Sequence, residues 1–325
     1  MPWKDHYTIT DERSLERVDW PDGYQALALV IVDLAVRSGP DGIGDAELTT
    51  EPRAIRGLPQ RAPDDAEFGR SVGLPRLLDL FDRYAVQATF AVPAVTAEAW
   101  PQTVREVVAR GHEVAAHGLR HEDVSRLDAS EELRRLLATI ETLTKVAGIR
   151  PAGWFALPRQ QDRFPGGQIS PRTMDLLIET GFEYMGNGMA DDLPHYWVTD
   201  FATRRHIVTL PYYYHFDDQF FLMFPQPGQG SGLHNPAGLR ENWRAELAAT
   251  RALGRCFTMT LHPGLIGWSE GIGVLEGTLT AMREGASVWT PTGRAAAQWW
   301  KRRYPAATTL HLEPSIWQDH PGSLS

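Results

Sequence analysis

Short, near-continuous apolar runs alternate with amphipathic segments down most of this chain, and that alternation limits the possible folds more than any single residue does. "ALALVIVD" (26–33) is a bounded, β-branched run and reads as a buried strand ending at Asp33. "GLPRLLDLFDRYA" follows, with Leu74, Leu77, Leu78 and Phe81 at helical spacing. "VQATFAV" (86–92) predicts a second strand. In "WPQTVREVVARG", Pro101 suits a first helical turn and Gly111 a stop. "HEVAAH" is then a short strand that delivers His117 to its C-terminal end.

The next helix has a capping box, Asp128 with Glu131 three residues on, an apolar face of Leu133, Leu136, Leu137, Ile140 and Leu143, and a stop at Gly148. "AGWFAL" (152–157) predicts a strand, and Ser170-Pro171 the start of the helix "PRTMDLLIETG". "RHIVTLP" (205–211), "CFTMTLH" (256–262) and "VWTP" read as further strands, and residues 238–253, 271–284 and 292–303 as helices. About seven strands in such an order predict an α/β fold, a parallel sheet covered by helices that closes into a deformed barrel. One domain over residues 1–325 is expected, with a core at 25–303 and N- and C-terminal extensions. The long loops at 34–68 and 213–237 are of a size that more often serves function than not. In β/α barrels the strand C-termini carry the chemistry, and here those ends hold Asp33, His117 and His262.

Composition removes several classes. The net charge is −9 with no basic block, which argues against nucleic acid and anionic membranes as partners. The single cysteine, Cys256, cannot form an internal disulfide. No apolar run approaches a membrane span, and the N-terminus does not read as a signal peptide, so a cytoplasmic location is expected. There is no P-loop, no G-x-G-x-x-G after a strand, no G-x-S-x-G elbow and no C-x-x-C pair. Nucleotide cofactors, serine-esterase chemistry and thiol chemistry are disfavoured.

What remains is imidazole and carboxylate. His117 and His121 stand as H-x-x-x-H in a glycine-containing turn, where two neutral imidazoles and a carboxylate could hold Zn²⁺ or another divalent metal; on spacing alone they could equally be core or surface histidines. Asp33 closes an apolar strand, a costly place for a carboxylate unless it caps a turn, binds a metal or acts as a base. His262 ends a buried strand before Pro263 and is a candidate acid or base, the alternative being a core histidine bonded to backbone. His112 reads as structural. The pairs Asp191-Asp192 and Asp217-Asp218 read as solvent-exposed turn formers, and Trp154 and Phe155 as core.

Several motifs in order then resemble one family. A strand ending in Asp, "ATFAVPAVTAEAWP", "GHEVAAHGLRH" and "LHPGLIG" are similar to the polysaccharide deacetylases (NodB homology), over roughly residues 25–303. "GWFALPR", "FEYMGNGMADDLPHYWV" and "IVTLPYYYHFDDQ" are closest to the branch of cytoplasmic peptidoglycan-deacetylase-like proteins, cyclic-imide hydrolases and metal-independent allantoinases. The resemblance implies hydrolysis of an amide-type C–N bond, with His117 and His121 as the histidine pair of a metal site and His262 as the acid. The first motif departs from the family's D-D or D-x-D. In "IVDLAV" only Asp33 is acidic, so either the ligand position is Ala35 or the base position is Val32. The family's R-x-P arginine is replaced by Phe155.

The expected activity is therefore hydrolysis of a non-peptide amide bond in a small substrate, cyclic ones included. His262 would be the acid, Asp33 the base or a ligand, and Asp191, Asp192 and Trp154 would shape the pocket. Two alternatives stand beside it: a metal-dependent N-deacetylase of an acetylated amino sugar, and an inactive relative that only binds a ligand. The resemblance leaves open a divalent metal or none, and implies a homo-oligomer, a tetramer among the options.

Overall fold

The computed structural model describes residues 6–8, 17–35, 41–44, 65–159, 169–200, 203–222, 234–284 and 287–310. Ten strands are described: β1 (His6–Thr8), β2 (Ala26–Asp33), β3 (Thr89–Val92), β4 (Glu113–Ala116), β5 (Gly153–Trp154), β6 (Tyr184–Gly188), β7 (His195–Asp200), β8 (Arg205–Pro211), β9 (Cys256–Leu261) and β10 (Val288–Trp289). Around them lie α1 (Leu74–Tyr84), α2 (Ala94–Ala99), α3 (Pro101–Ala109), α4 (Ala129–Ala147), α5 (Thr173–Glu179), α6 (Pro236–Leu253), α7 (Ser269–Arg283) and α8 (Gly293–Arg303), besides several single turns. No helix among the described residues is long and apolar enough to cross a membrane.

All ten strands join one sheet, and the run β9-β2-β3-β4-β5-β6-β8 is parallel throughout. β7 and β1 extend it past β8 as antiparallel strands. The segment after β8 carries the chain back to β9. Thr258 Oγ1 donates to Pro211 O at 2.8 Å, and Asp218 N to Thr260 O at 3.0 Å. The end of β8 and the segment after it thus lie against β9, the other end of the parallel run. Helices cover the sheet, giving the α/β class read from the alternation.

Side-chain parity divides the core into two layers. On β2, Ala26, Ala28, Val30 and Val32 pack outward with the helices, while Leu27, Leu29 and Ile31 face inward. Each of the buried valine, leucine and isoleucine side chains among them contributes about 1.5–3 kcal/mol. The same parity sends Asp33 inward. On β4, Ala115 is inward and Ala116 outward, so His117 follows inward; on β9, Phe257, Met259 and Leu261 are outward, so His262 follows inward. Three chemical residues therefore meet at one end of the barrel because each is the next odd step past an apolar strand.

Some expectations need correction. "AGWFAL" pairs as a strand only over Gly153–Trp154. β6, β7 and β1 were not anticipated; β6 is disguised by its glycines, one of which is demanded by packing, since a Cβ on Gly186 would lie 2.0 Å from the Phe155 ring. α5 begins at Thr173 rather than at Pro171; Ser170 Oγ accepts from the Arg172 amide at 3.0 Å in the turn before it and donates to Glu132 Oε2 of α4 at 2.6 Å. The α4 boundaries follow the capping box, with Asp128 accepting from Glu131 N at 2.9 Å and Gly148 in the left-handed conformation.

Candidate active site

The inward positions at the strand ends converge. Asp33, His117 and His121 offer one ligand atom each within 4.8 Å of one another, and all three are buried. Asp33 Oδ1 accepts from the Ala35 amide at 2.7 Å, which leaves Oδ2 for the centre, 3.7 Å from His117 Nε2 and 3.4 Å from His262 Nε2. Burial pushes the Asp33 carboxyl up. The neighbouring imidazoles, His117 first, outweigh that and hold it well below the usual carboxylate range, so Asp33 is an anion.

The segment just after β5 orients both rings. Carbonyls only accept, so His117 Nδ1 donates to Phe155 O (2.9 Å) and His121 Nε2 donates to Leu157 O (2.9 Å). In its neutral form each ring then has one tautomer, with the lone pair on Nε2 of His117 and on Nδ1 of His121, the ring centroids 3.9 Å apart. Burial, then the neighbouring His117, pushes His121 down to about 3, so it stays neutral. His121 sits at φ 56°, a left-handed conformation uncommon outside glycine.

His262 is gripped from the other side. Asp218 Oδ1 lies 2.6 Å from His262 Nδ1, and Asp218 Oδ2 accepts from the His262 backbone N–H at 2.8 Å. Asp217 Oδ1 lies 3.5 Å from the same Nδ1, and Asp217 is itself fixed by Tyr212 Oη–H at 3.0 Å and by both amides of Gln219. Burial works against charge on the imidazole, but Asp218 and then Asp217 hold His262 well above the usual histidine range. It is an imidazolium with its Nε2–H aimed at Asp33.

The residues suit a divalent cation. His117 Nε2 is fully buried and has no hydrogen-bond partner in the protein, an arrangement that costs energy unless something else uses the lone pair. Two imidazole nitrogens and one carboxylate oxygen are the donor set of an open zinc site.

A polysaccharide deacetylase family model matches residues 64–185, which carry β3, β4, both site histidines and β5. A solved structure from Mycobacterium smegmatis, described as a polysaccharide deacetylase, is 30% identical; the match covers 89% of this chain and 94% of that one, with a TM-score of 0.72. The chain belongs to the polysaccharide deacetylase family. It is similar to a peptidoglycan deacetylase of Helicobacter pylori, 28% identical over 229 residues, or 62% of this chain and 75% of that one. The PuuE allantoinase structure shares the fold, with a TM-score of 0.73 at 23% identity over 92% of this chain and 98% of that one. As a member of this family the chain is a hydrolase of carbon–nitrogen bonds other than peptide bonds.

Not every residue singled out in the sequence of this deacetylase-family chain reaches the centre. Trp154 has the opposite parity to Asp33. It packs outward among the helices and lines a small recess there with His117 and His121, while its neighbour Phe155 supplies the inward side chain and the carbonyl that holds His117. Asp191 and Asp192 lie elsewhere too. Asp192 O accepts from Cys256 N at the start of β9, whereas His262 follows the end of that strand. Its six residues span about 20 Å at roughly 3.3 Å each. The pair instead lines a separate cleft of ≈ 670 Å³ with Tyr213, His215, Glu246 and Cys256, where Asp191 makes a turn bond to Leu193 N and Asp192 pairs with Arg255 at 3.4 Å.

Asp217 and Asp218 are the converse case. Read as an exposed turn, both are fully buried. The signal was in the flanks, since "YYYHFDDQFFL" encloses the pair between aromatic runs, which an exposed turn does not need. Arg159, at the end of "GWFALPR", was also passed over; it is buried, 3.6 Å from Asp123 and beside the two histidines.

Proposed function

We propose that this chain hydrolyses an amide-type C–N bond in a small substrate, cyclic imides and ureides included, at the centre formed by Asp33, His117, His121 and His262. One observation carries the reading: a single strand-end carboxylate, with one oxygen already held by the Ala35 amide, faces a histidine kept protonated by a buried aspartate. That arrangement provides one base and one acid side by side at the centre. A water molecule attacks the carbonyl carbon as Asp33 Oδ2 draws its proton. The C–N bond breaks as His262 Nε2–H passes its proton to the leaving nitrogen. Asp33 and His262 lie 3.4 Å apart, so the proton gained by one returns to the other and the site is restored. His117 and His121 turn their lone pairs to the centre, so they stabilise the oxygen that gains negative charge only through a cation they hold. With Asp33 Oδ2 as a ligand instead of the base, a divalent cation held by Asp33, His117 and His121 would supply Lewis-acid polarisation of that carbonyl and a more acidic water.

A second reading, N-deacetylation of an acetylated amino sugar, is favoured by the Helicobacter pylori relative and by the donor set around His117. Elemental analysis of purified protein, with an activity panel of allantoin, cyclic imides and acetylated amino sugars run with and without chelator, separates the two. Turnover of the cyclic or small amides supports the first. Turnover of the acetylated sugars alone, lost to chelator and restored by Zn²⁺, overturns it in favour of the second.

A further inference from the structure

The segment 118–122 connects the two histidines, and its backbone is sorted by direction. The carbonyls of Gly118, Leu119 and Arg120 point outward, accepting from Ala94 N and Val95 N at the start of α2 and from Ile43 N. The amides of Leu119 and Arg120 point the other way, at the Glu122 carboxylate. Arg120 N reaches Oε2 at 2.6 Å and Leu119 N reaches Oε1 at 3.4 Å. Gly118 at φ 73° and His121 at φ 56° are the two left-handed residues that turn those amides inward. A Cβ on Gly118 would come within 3.1 Å of Glu122 Oε2, so the loop closes tightly around the anion. The Glu122 side chain is 2% exposed, and its charge is met from α4 by Arg135, 3.6 Å away. Arg135 is itself steadied by Glu131 at 2.6 Å. Backbone amides converging on an anion in this way form a nest, and filling it stabilises a conformation the chain would otherwise resist.

We propose that Glu122 is the positioning residue of the centre: its carboxylate, bound in the nest of loop 118–121, sets His121 against His117. The inference rests on the proposed role of those histidines. Glu122 touches no reacting atom. It acts through the left-handed turn at His121, which without an anion in the nest leaves two inward amides facing a buried space. Glutamine has nearly the same shape but does not substitute. Whichever way its amide is turned, the NH2 faces either the Arg120 N–H or the Arg135 guanidinium.

The test uses the full chain carrying Glu122→Gln, with Glu132→Gln as a control for a buried carboxylate on the same helix bundle, bound by Ser170 and Thr173 rather than by the loop. Zn²⁺ is titrated into metal-free protein by calorimetry, and the side-chain ¹⁵N signals of the histidines are recorded for tautomer. Glu122→Gln is expected to weaken Zn²⁺ binding about 10- to 100-fold, the usual effect of losing a group that orients a ligand. The single-tautomer pattern of His121 should be lost, and kcat should fall with KM little changed. Arg135→Gln, which leaves the nest itself intact, should give a smaller loss and serves if Glu122→Gln does not fold. Glu132→Gln should lower the urea midpoint and move none of these readouts. Wild-type Zn²⁺ affinity and wild-type histidine signals in Glu122→Gln would overturn the proposal, and so would equal effects from Glu132→Gln. If the wild-type chain takes up no Zn²⁺, the metal part of the functional reading fails while the ¹⁵N pattern still decides the role of Glu122.

Discussion

Asp218→Asn removes one charge from the grip on His262 and little else. The asparagine can still accept from the His262 backbone N–H, but the 2.6 Å contact to Nδ1 loses its anion. A hydrogen bond to a charged group contributes about 1.5–3 kcal/mol. At 1.36 kcal/mol per pKa unit, the variant should lower the His262 pKa by about one to two units. An acid that must be protonated loses activity as pH rises through its folded pKa, so the basic limb of kcat/KM against pH should move to lower pH by that amount. At a pH between the two limbs kcat/KM should fall about 10- to 100-fold. Stability should follow the same sign. His262 is raised above its unfolded value of about 6.5, so its contribution is fully present below that pH and fades as pH rises through the folded value. Wild type should therefore exceed Asp218→Asn in urea midpoint by more at pH 6 than at pH 9. A pH–rate profile whose basic limb stays in place, with kcat/KM within threefold of wild type, would refute the assignment of His262 as an acid tuned by Asp218.

Three further outcomes are expected. His262→Ala should cost about 10²–10⁴-fold in kcat, the usual contribution of a positioned acid, while circular dichroism shows an unchanged fold. His117→Ala should abolish turnover and also the tight binding of Zn²⁺ in a calorimetric titration, since it removes a buried ring nitrogen at the centre that has no hydrogen-bond partner in the protein. Asp191→Asn and Asp192→Asn, a strand length from His262, should leave kcat within about threefold of wild type in the same assay.

The strand ends were legible because period-2 burial carries through to the first polar residue. Ile31 and Leu29 announce the face on which Asp33 will lie, and Thr258 and Thr260 do the same for His262. Parity also held the information that was misread. Trp154 and Phe155 are adjacent, so only one can face inward, and deciding which requires the register of β5 against β4, where Trp154 stands opposite the outward Ala116. Asp217 and Asp218 were illegible for another reason. Their burial depends on β8 ending beside the middle of β9, at Thr258, so that the connecting segment must climb the strand to reach His262. Strand stagger of this kind is a property of the closed ring and leaves no local mark. Glu122 was hidden in the same way, because a carboxylate next to a histidine looks solvated until the left-handed turn at His121 brings the loop amides around it.

The question left open by "IVDLAV" was whether Asp33 stands for the first or the second acid of a pair. If the pair were adjacent, the second carboxylate would come from position 32. Val32 points outward into the helix-facing layer, so an acid there would face away from the histidines unless β2 bulged. If the pair were spaced by one residue, the second would come from position 35. Ala35 has left the strand: its amide binds Asp33 Oδ1, and its side chain packs with Ile43, Val95 and Trp100. Neither position is an empty carboxylate site; each is filled by apolar packing. Asp33 is then the one first-strand acid able to reach His117, and with Oδ1 committed it offers the centre a single oxygen. The charge that a second strand-end carboxylate would have brought enters instead from β9's side, where Asp217 and Asp218 surround His262. Negative charge placed behind the acid raises its proton affinity, which is why the proposed chemistry leans on His262 as strongly as on the histidine pair.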